Sequence, residues 1–260
     1  MTLVFAAIAP HGGLVFEQPD GETRRGMDEL ARRFRAARPD AVIVATPHGT
    51  LLDDRFGVVR SARLSEHGSR FVEDEYLYEG PGEPQLADDC LAALREAGVP
   101  AVGVTFGATA AGDSEMPIDW GAGIPLSFLS APAVVVTPCR ALSNDLHVRA
   151  GAALAAATGP RRVAFVASAD HGHGHSEDGP YGYSPDSAPY DDEIVRIVRE
   201  NRLGELVDWD PQVAVTALAD SFWQLLMLHG ALGDGWDSQL HTYEAPTYFG
   251  MLTASFSRQD

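Results

Sequence analysis

The opening of the chain, from Leu3 to Thr46, constrains the fold more tightly than any other stretch. Leu3 to Ala9 is a short apolar run that reads as a buried strand. Glu22 to Ala37 carries Met27, Leu30, Ala31 and Phe34 at helical spacing with arginines on the other face, and Asp40 to Thr46, DAVIVAT, is a second buried strand. A strand, a crossover helix and a second strand place the two strands parallel. The chain is therefore expected to be α/β, with a central, mostly parallel or mixed sheet and helices on both faces.

Both strands end in the same tripeptide, Pro10-His11-Gly12 and Pro47-His48-Gly49. Parallel strands present their carboxyl ends on one edge of the sheet, which is where open α/β sheets bind ligands. Proline removes a donor and stiffens each exit, while glycine lets the chain turn with the imidazole projecting over the edge. Either histidine alone reads as a turn or core residue. At equivalent ends of parallel strands, the pair points to metal binding or catalysis.

A third strand end carries more imidazoles. Val163 to Ser176, VAFVASADHGHGHS, opens as a buried strand and breaks into His171, His173 and His175, interleaved with Gly172 and Gly174. Glycine costs about 1 kcal/mol in a helix interior, so the three histidines are expected on a loop at the carboxyl end of a strand. Histidine changes charge nearest neutral pH, which suits acid and base work. The tripeptide pattern by itself reads as a surface turn.

The remaining segments fill out the same architecture. Arg55 to Leu64 and Arg70 to Leu77 read as extended segments forming a hairpin that leans over the site. Pro84 to Ala97 reads as an amphipathic helix, Pro100 to Phe106 as a strand, and Ala108 to Asp119 as an exposed loop. A short helix after Trp120 leads to the strand Ala133 to Thr137, and Asn144 to Ala157 is an alanine-rich helix capped by Ser143. Glu177 to Tyr190 reads as a long loop able to cover a pocket. Asp191 to Asn201 and Val213 to Leu232 are helical by periodicity, and Gln239 to Tyr243 and Tyr248 to Phe256 are closing strands. No repeat, low-complexity tract or linker interrupts the chain, so residues 1–260 are expected to form one domain.

Charge and composition exclude several functions. A formal net charge of −18 over 260 residues repels nucleic acid and anionic membranes, so neither is expected as the main partner. The two cysteines, Cys90 and Cys139, have no metal-site spacing and suit a reducing compartment, and the apolar N-terminus lacks the basic region of a signal peptide. A cytoplasmic protein is expected. No stretch approaches the roughly 20 apolar residues that span a bilayer.

Taken together, the two Pro-His-Gly exits, the turn Ser168-x-Asp170-x-x-His173, the segment Asp119-Trp120-Gly121 through Pro125-Leu126, and Glu244 within Tyr243-Glu244-Ala245 resemble the class III extradiol ring-cleavage dioxygenases. That is the family of the protocatechuate 4,5-dioxygenase β subunit, whose wider superfamily includes Memo-like proteins. The resemblance runs through nearly the whole chain. It implies a single catalytic domain holding one non-haem Fe(II) through His11, His48 and Glu244, with open positions for a catecholic or 2-aminophenolic substrate and O2. It also implies an acid–base histidine, which counting from Ser168 and Asp170 assigns to His173, with His171 and His175 as alternatives. Trp120 stands where some members carry a histidine, which implies an apolar wall or a stacking surface there. Zinc accepts the same ligand types, so a Memo-like metal-binding protein or a zinc hydrolase is the other implied reading. Family members work as homo-oligomers or with a partner subunit, and the sequence does not choose between these.

Overall fold

Alternation of apolar side chains along each central strand gives the sheet two buried faces, and both are covered by helices. The computed structural model describes residues 3–66 and 77–259. Its first part contains β1 (Leu3–Ala9), α1 (Leu14–Glu17), α2 (Glu22–Ala37), β2 (Ala41–Ala45), β3 (Phe56–Val59), β4 (Arg63–Glu66) and β5 (Glu79–Pro81). Then come α3 (Pro84–Glu96), β6 (Ala101–Val104), β7 (Glu115–Ile118), α4 (Trp120–Phe128), β8 (Ala133–Thr137), α5 (Asn144–Ala156) and β9 (Val163–Ser168). The last part holds α6 (Ser187–Arg199), α7 (Gln212–Thr216), α8 (Phe222–Leu232), β10 (Trp236–Glu244) and β11 (Met251–Arg258).

The main sheet has 8 strands in the order β10, β11, β1, β9, β2, β8, β3, β6. From β1 through β8 its neighbours are parallel, while β11 runs antiparallel to β1 and β3 antiparallel to β8. It is thus a mixed sheet around a parallel centre, as the α/β expectation had it. The strand that carries the histidine loop, β9, lies between β1 and β2, pairing Ser168 with Ala9 and Ala167 with Ala45. Three parallel strands consequently end side by side.

Period-two alternation sorts the core. Ile43, Phe165 and Val136 face one layer with Leu154 of α5 and Leu225 and Leu226 of α8. Val44, Val166 and Val135 face the other, with Met27, Leu30 and Phe34 of α2 and Ile124 and Leu126 of α4. Each such fully buried side chain contributes about 1.5–3 kcal/mol. Helices α5 and α8 approach so closely that a Cβ on Gly151 would stand 1.8 Å from the Met227 carbonyl oxygen, and one on Gly230 would stand 1.8 Å from that of Val148. Only glycine fits at that crossing.

Several boundaries differ from the sequence reading. Arg55 to Leu64 is not one extended segment: β3 joins the main sheet, and β4 joins a second sheet of 3 strands in the order β5, β4, β7. The hairpin partner expected over Arg70 to Leu77 lies, but for its last residue, outside the described residues. Ala108 to Asp119 is not wholly loop, because β7 pairs parallel with β4 through Glu115–Ile118. Ser143 caps α5 as expected, accepting from the Leu146 amide. The most consequential difference is in Val213 to Leu232, which is two helices: between α7 and α8 the chain breaks, with Leu218 at φ 55° in the left-handed region. A non-glycine residue there is strained, and two residues on lies Asp220. No helix among the described residues is long and apolar enough to cross a membrane.

Candidate metal centre

His11 leaves β1, His48 leaves β2, and Ser168 ends β9 between them. The His11 amide donates to Asp170 Oδ1 at 3.0 Å, which pins the exit of β1 to that of β9. Its ring Nδ1 lies 2.9 Å from Ser168 Oγ. The Ser168 hydroxyl spends its one proton on the Gly121 carbonyl, so it accepts from His11 Nδ1–H. That bond commits Nδ1–H to Ser168, so Nε2 is the nitrogen that faces the centre and offers its lone pair once its proton is displaced. A bond of this kind is what metal-ligating histidines use to fix orientation.

His48 Nε2 faces His11 Nε2 at 3.1 Å. Its ring stacks on Trp120, centroids 4.4 Å apart and planes at 28°, so the tryptophan is the stacking surface that its position implied. Asp119 caps α4 by accepting from the Ala122 amide, and it also accepts from Thr46 Oγ1 at 2.6 Å, tying the exit of β2 to the helix that carries Trp120. The carboxylate beside the two imidazoles comes from Asp220, whose Oδ2 lies 3.2 Å from His48 Nε2 and 3.5 Å from His11 Nε2.

These three donors suit a metal ion. Bonds of about 2.0–2.2 Å to nitrogen and oxygen require ligand atoms roughly 3 Å or a little more apart, as these are, and the three form the candidate metal-holding group among the described residues. Burial opposes charge on His11, but Asp170 and Asp220 outweigh it and push its pKa up to about 9. Asp220 is held well below the usual carboxylate range: burial raises it, and His11, His48 and His173 more than reverse that. Asp170 is raised, because burial dominates there.

Glu244, expected to complete the ligand set, is placed elsewhere. At the end of β10 its Oε1 accepts from the Thr23 amide at 2.7 Å and the Thr23 hydroxyl at 2.6 Å. There it satisfies an otherwise open donor at the start of α2 and complements the helix dipole. Asp220 was not singled out from the sequence, because apolar periodicity runs on across the break between α7 and α8. The one available signal was Asp220-Ser221 directly ahead of an apolar run, a pattern typical of a helix start.

The three loop histidines separate. His173 faces the centre, with Nε2 4.0 Å from Asp220 Oδ2 and its ring stacked on Phe249 at 5.4 Å. His171 is fully buried beneath, with Nδ1 3.0 Å from Ser221 Oγ, and burial lowers its pKa. His175 Nε2 bonds Asp191 Oδ2 at 2.9 Å, and Asp191 also accepts from Tyr243 Oη and the Gly172 amide. Gly172 and Gly174 make this possible, since a Cβ on either would stand under 3 Å from Ser187 or Ser184.

Two cavities meet at this centre. One of about 250 Å³ is walled by Trp120, Tyr248 and Phe249 and opens onto His11. The other, of about 380 Å³, is bounded by Arg140, Trp223 and the α7 to α8 break. His48, His173 and Tyr181 line both. Ser168→Ala is expected to leave the fold intact and weaken metal binding by roughly 10- to 100-fold, the usual cost of losing a bond that orients a ligand, as titration of the metal-free protein with Zn(II) would measure.

Comparison with known proteins bears on the family and the fold. Residues 5–253 match the family described as the catalytic LigB subunit of aromatic ring-opening dioxygenase. The chain is 22% identical over 244 residues to Protein CA_C1420 of Clostridium acetobutylicum, a match covering 91% of this chain and 52% of the other. The chain thus spans about half the length of that curated relative. The crystal structure of uncharacterized protein JW3007 from Escherichia coli K12 is similar in fold, with a TM-score of 0.67 and 18% identity over 97% of this chain and 99% of that one.

Proposed function

Because this chain belongs to the LigB family of aromatic ring-opening dioxygenase catalytic subunits, we propose that residues 1–260 form a non-haem Fe(II)-dependent extradiol dioxygenase. Its substrate is a catecholic or 2-aminophenolic ring, and both atoms of O2 enter the product. The observation that carries this reading is the grouping of His11, His48 and Asp220 with His173 beside them, at the junction of two cavities. Two imidazoles and one carboxylate are the donor set of oxygen-activating Fe(II) sites.

His11, His48 and Asp220 would hold an Fe(II), which when bound would supply Lewis acidity toward a deprotonated ring hydroxyl and a route for electrons from the ring to dioxygen. The chain's own residues do the rest. His11 is oriented by Ser168, His48 by stacking on Trp120. Phe249 and Tyr248 offer aromatic faces on which a planar ring can rest, each such contact contributing about 0.5–1.5 kcal/mol. His173, held against Phe249, takes the proton of a substrate hydroxyl and returns it when the oxygen–oxygen bond breaks, the role expected of a positioned acid–base group. His171 and His175 face away from the cavities and hold the loop.

The test is direct. Protein purified without oxygen and loaded with Fe(II), then given a panel of catechols and 2-aminophenols in air, is expected to consume one O2 per ring and form a yellow ring-opened product. Zinc also fits two histidines and an aspartate. Absence of turnover with every substrate, together with hydrolytic activity in the zinc-loaded protein, would favour a zinc hydrolase on this fold.

A further inference from the structure

A serine placed directly ahead of a helix ordinarily turns its hydroxyl back to accept from an amide of the first turn. Ser221 stands at that position before α8 and makes no such bond. Its Oγ lies instead 3.0 Å from His171 Nδ1 and 2.9 Å from Tyr190 Oη, and all three side chains are buried. His171 comes from the loop after β9 and Tyr190 from α6, so a hydrogen-bonded chain joins three elements beside the metal centre. Breaking such a chain leaves buried polar groups unpaired, which holds its members in one arrangement.

The consequence falls on the neighbouring residue. Asp220 follows the left-handed Leu218 by two positions and precedes α8, so no helix sets its direction. Ahead of it, the Ala217 carbonyl accepts from the His173 amide at 3.3 Å and from Ser187 Oγ at 2.8 Å. Ser187 Oγ in turn accepts from the Gly174 amide at 2.9 Å. After it, Ser221 is bonded to His171 of the same loop. Asp220 Oδ1 accepts only a long bond, 3.3 Å, from the Asp170 amide, while Oδ2 faces His48 and His11. A strained connection keeps one geometry when its surroundings fix both ends. Resting on the metal centre described above and not on ring opening, we propose that Ser221 is a positioning residue: its hydroxyl, held between His171 and Tyr190, fixes the direction from which Asp220 presents its carboxylate to the metal. The loop that carries His173 thereby sets the metal ligand as well, through His171 after the break and Ser187 before it.

The test is a double-mutant cycle read by calorimetric titration of the metal-free protein with Zn(II). Ser221→Ala is expected to weaken binding by about 10-fold, the lower end of the cost of losing a residue that orients a ligand. Tyr190→Phe, which removes the far bond and keeps the ring, is expected to weaken it by a few fold. In an Asp220→Asn background Ser221→Ala is expected to cost nothing further, because the residue it acts through no longer offers its charge. The visible absorption of the Co(II)-loaded protein, which reports ligand geometry, is expected to shift in Ser221→Ala. Wild-type Zn(II) affinity in both Ser221→Ala and Tyr190→Phe overturns the proposal. An equal loss from Ser221→Ala with and without Asp220 also overturns it, since the serine would then act on the fold at large. Wild type that binds neither Zn(II) nor Co(II) removes the metal centre and this role with it, whereas metal binding without ring opening leaves the role of Ser221 standing.

Discussion

Asp220→Asn is expected to weaken metal binding by more than about 100-fold, while Glu244→Gln leaves it unchanged. Loss of a residue that merely orients a ligand costs about 10- to 100-fold, so loss of the charged ligand itself costs more. Asparagine keeps the shape of Asp220 and removes its charge, which is the quantity that both His11 and a bound cation respond to. In the metal-free protein His11 has its pKa raised to about 9. Its interaction with the acids therefore contributes stability that is complete below the ordinary value near 6.5 and lost as pH rises through 9. A metal must displace that proton, so apparent affinity for Zn(II) in wild type is expected to rise between these values. Asp220→Asn should flatten this rise. Glu244→Gln instead loosens the bonds to Thr23, costing about 1 kcal/mol of stability. Calorimetric titration with Zn(II) at two pH values, alongside thermal unfolding, measures all three quantities. Wild-type affinity in Asp220→Asn, or its loss in Glu244→Gln, would return the carboxylate role to Glu244.

His173→Ala is expected to keep the metal and lose turnover. A positioned acid–base group is worth about 10²- to 10⁴-fold, and the His173 ring lies beside Asp220 without being one of the three grouped ligands. Kcat should therefore fall by that factor while Zn(II) affinity stays within a few fold. His175→Ala provides the contrast. It removes a bond to the buried Asp191 and is expected to act on stability of the loop first, with a smaller loss of kcat. Equal losses in the two variants, or loss of metal in His173→Ala, would refute the division of labour among the three histidines.

Much of this arrangement is visible in short stretches of sequence. The two Pro-His-Gly exits are local features: a buried strand, a stiff exit and a turn, each encoded within a few residues, and both histidines reach the centre. Trp120 likewise follows from its place at the start of α4, just after the capping Asp119. The choice among His171, His173 and His175 is not local. Equal spacing gives all three the same standing, and only the packing of Gly172 and Gly174 against Ser184 and Ser187 turns one ring toward the cavity and the others away.

What the sequence determined by itself is the parallel α/β plan, its two apolar faces and the edge on which the imidazoles emerge, because these depend on periodicity and turn chemistry between near neighbours. What the tertiary structure alone decided is strand order and the carboxylate. Inserting β9 between β1 and β2 brings Ser168 under His11, and a strained Leu218 in the break between two helices leaves Asp220, just ahead of the second, at the metal centre. Both depend on contacts between residues far apart in the chain, and apolar periodicity carries no information about which distant segments will meet.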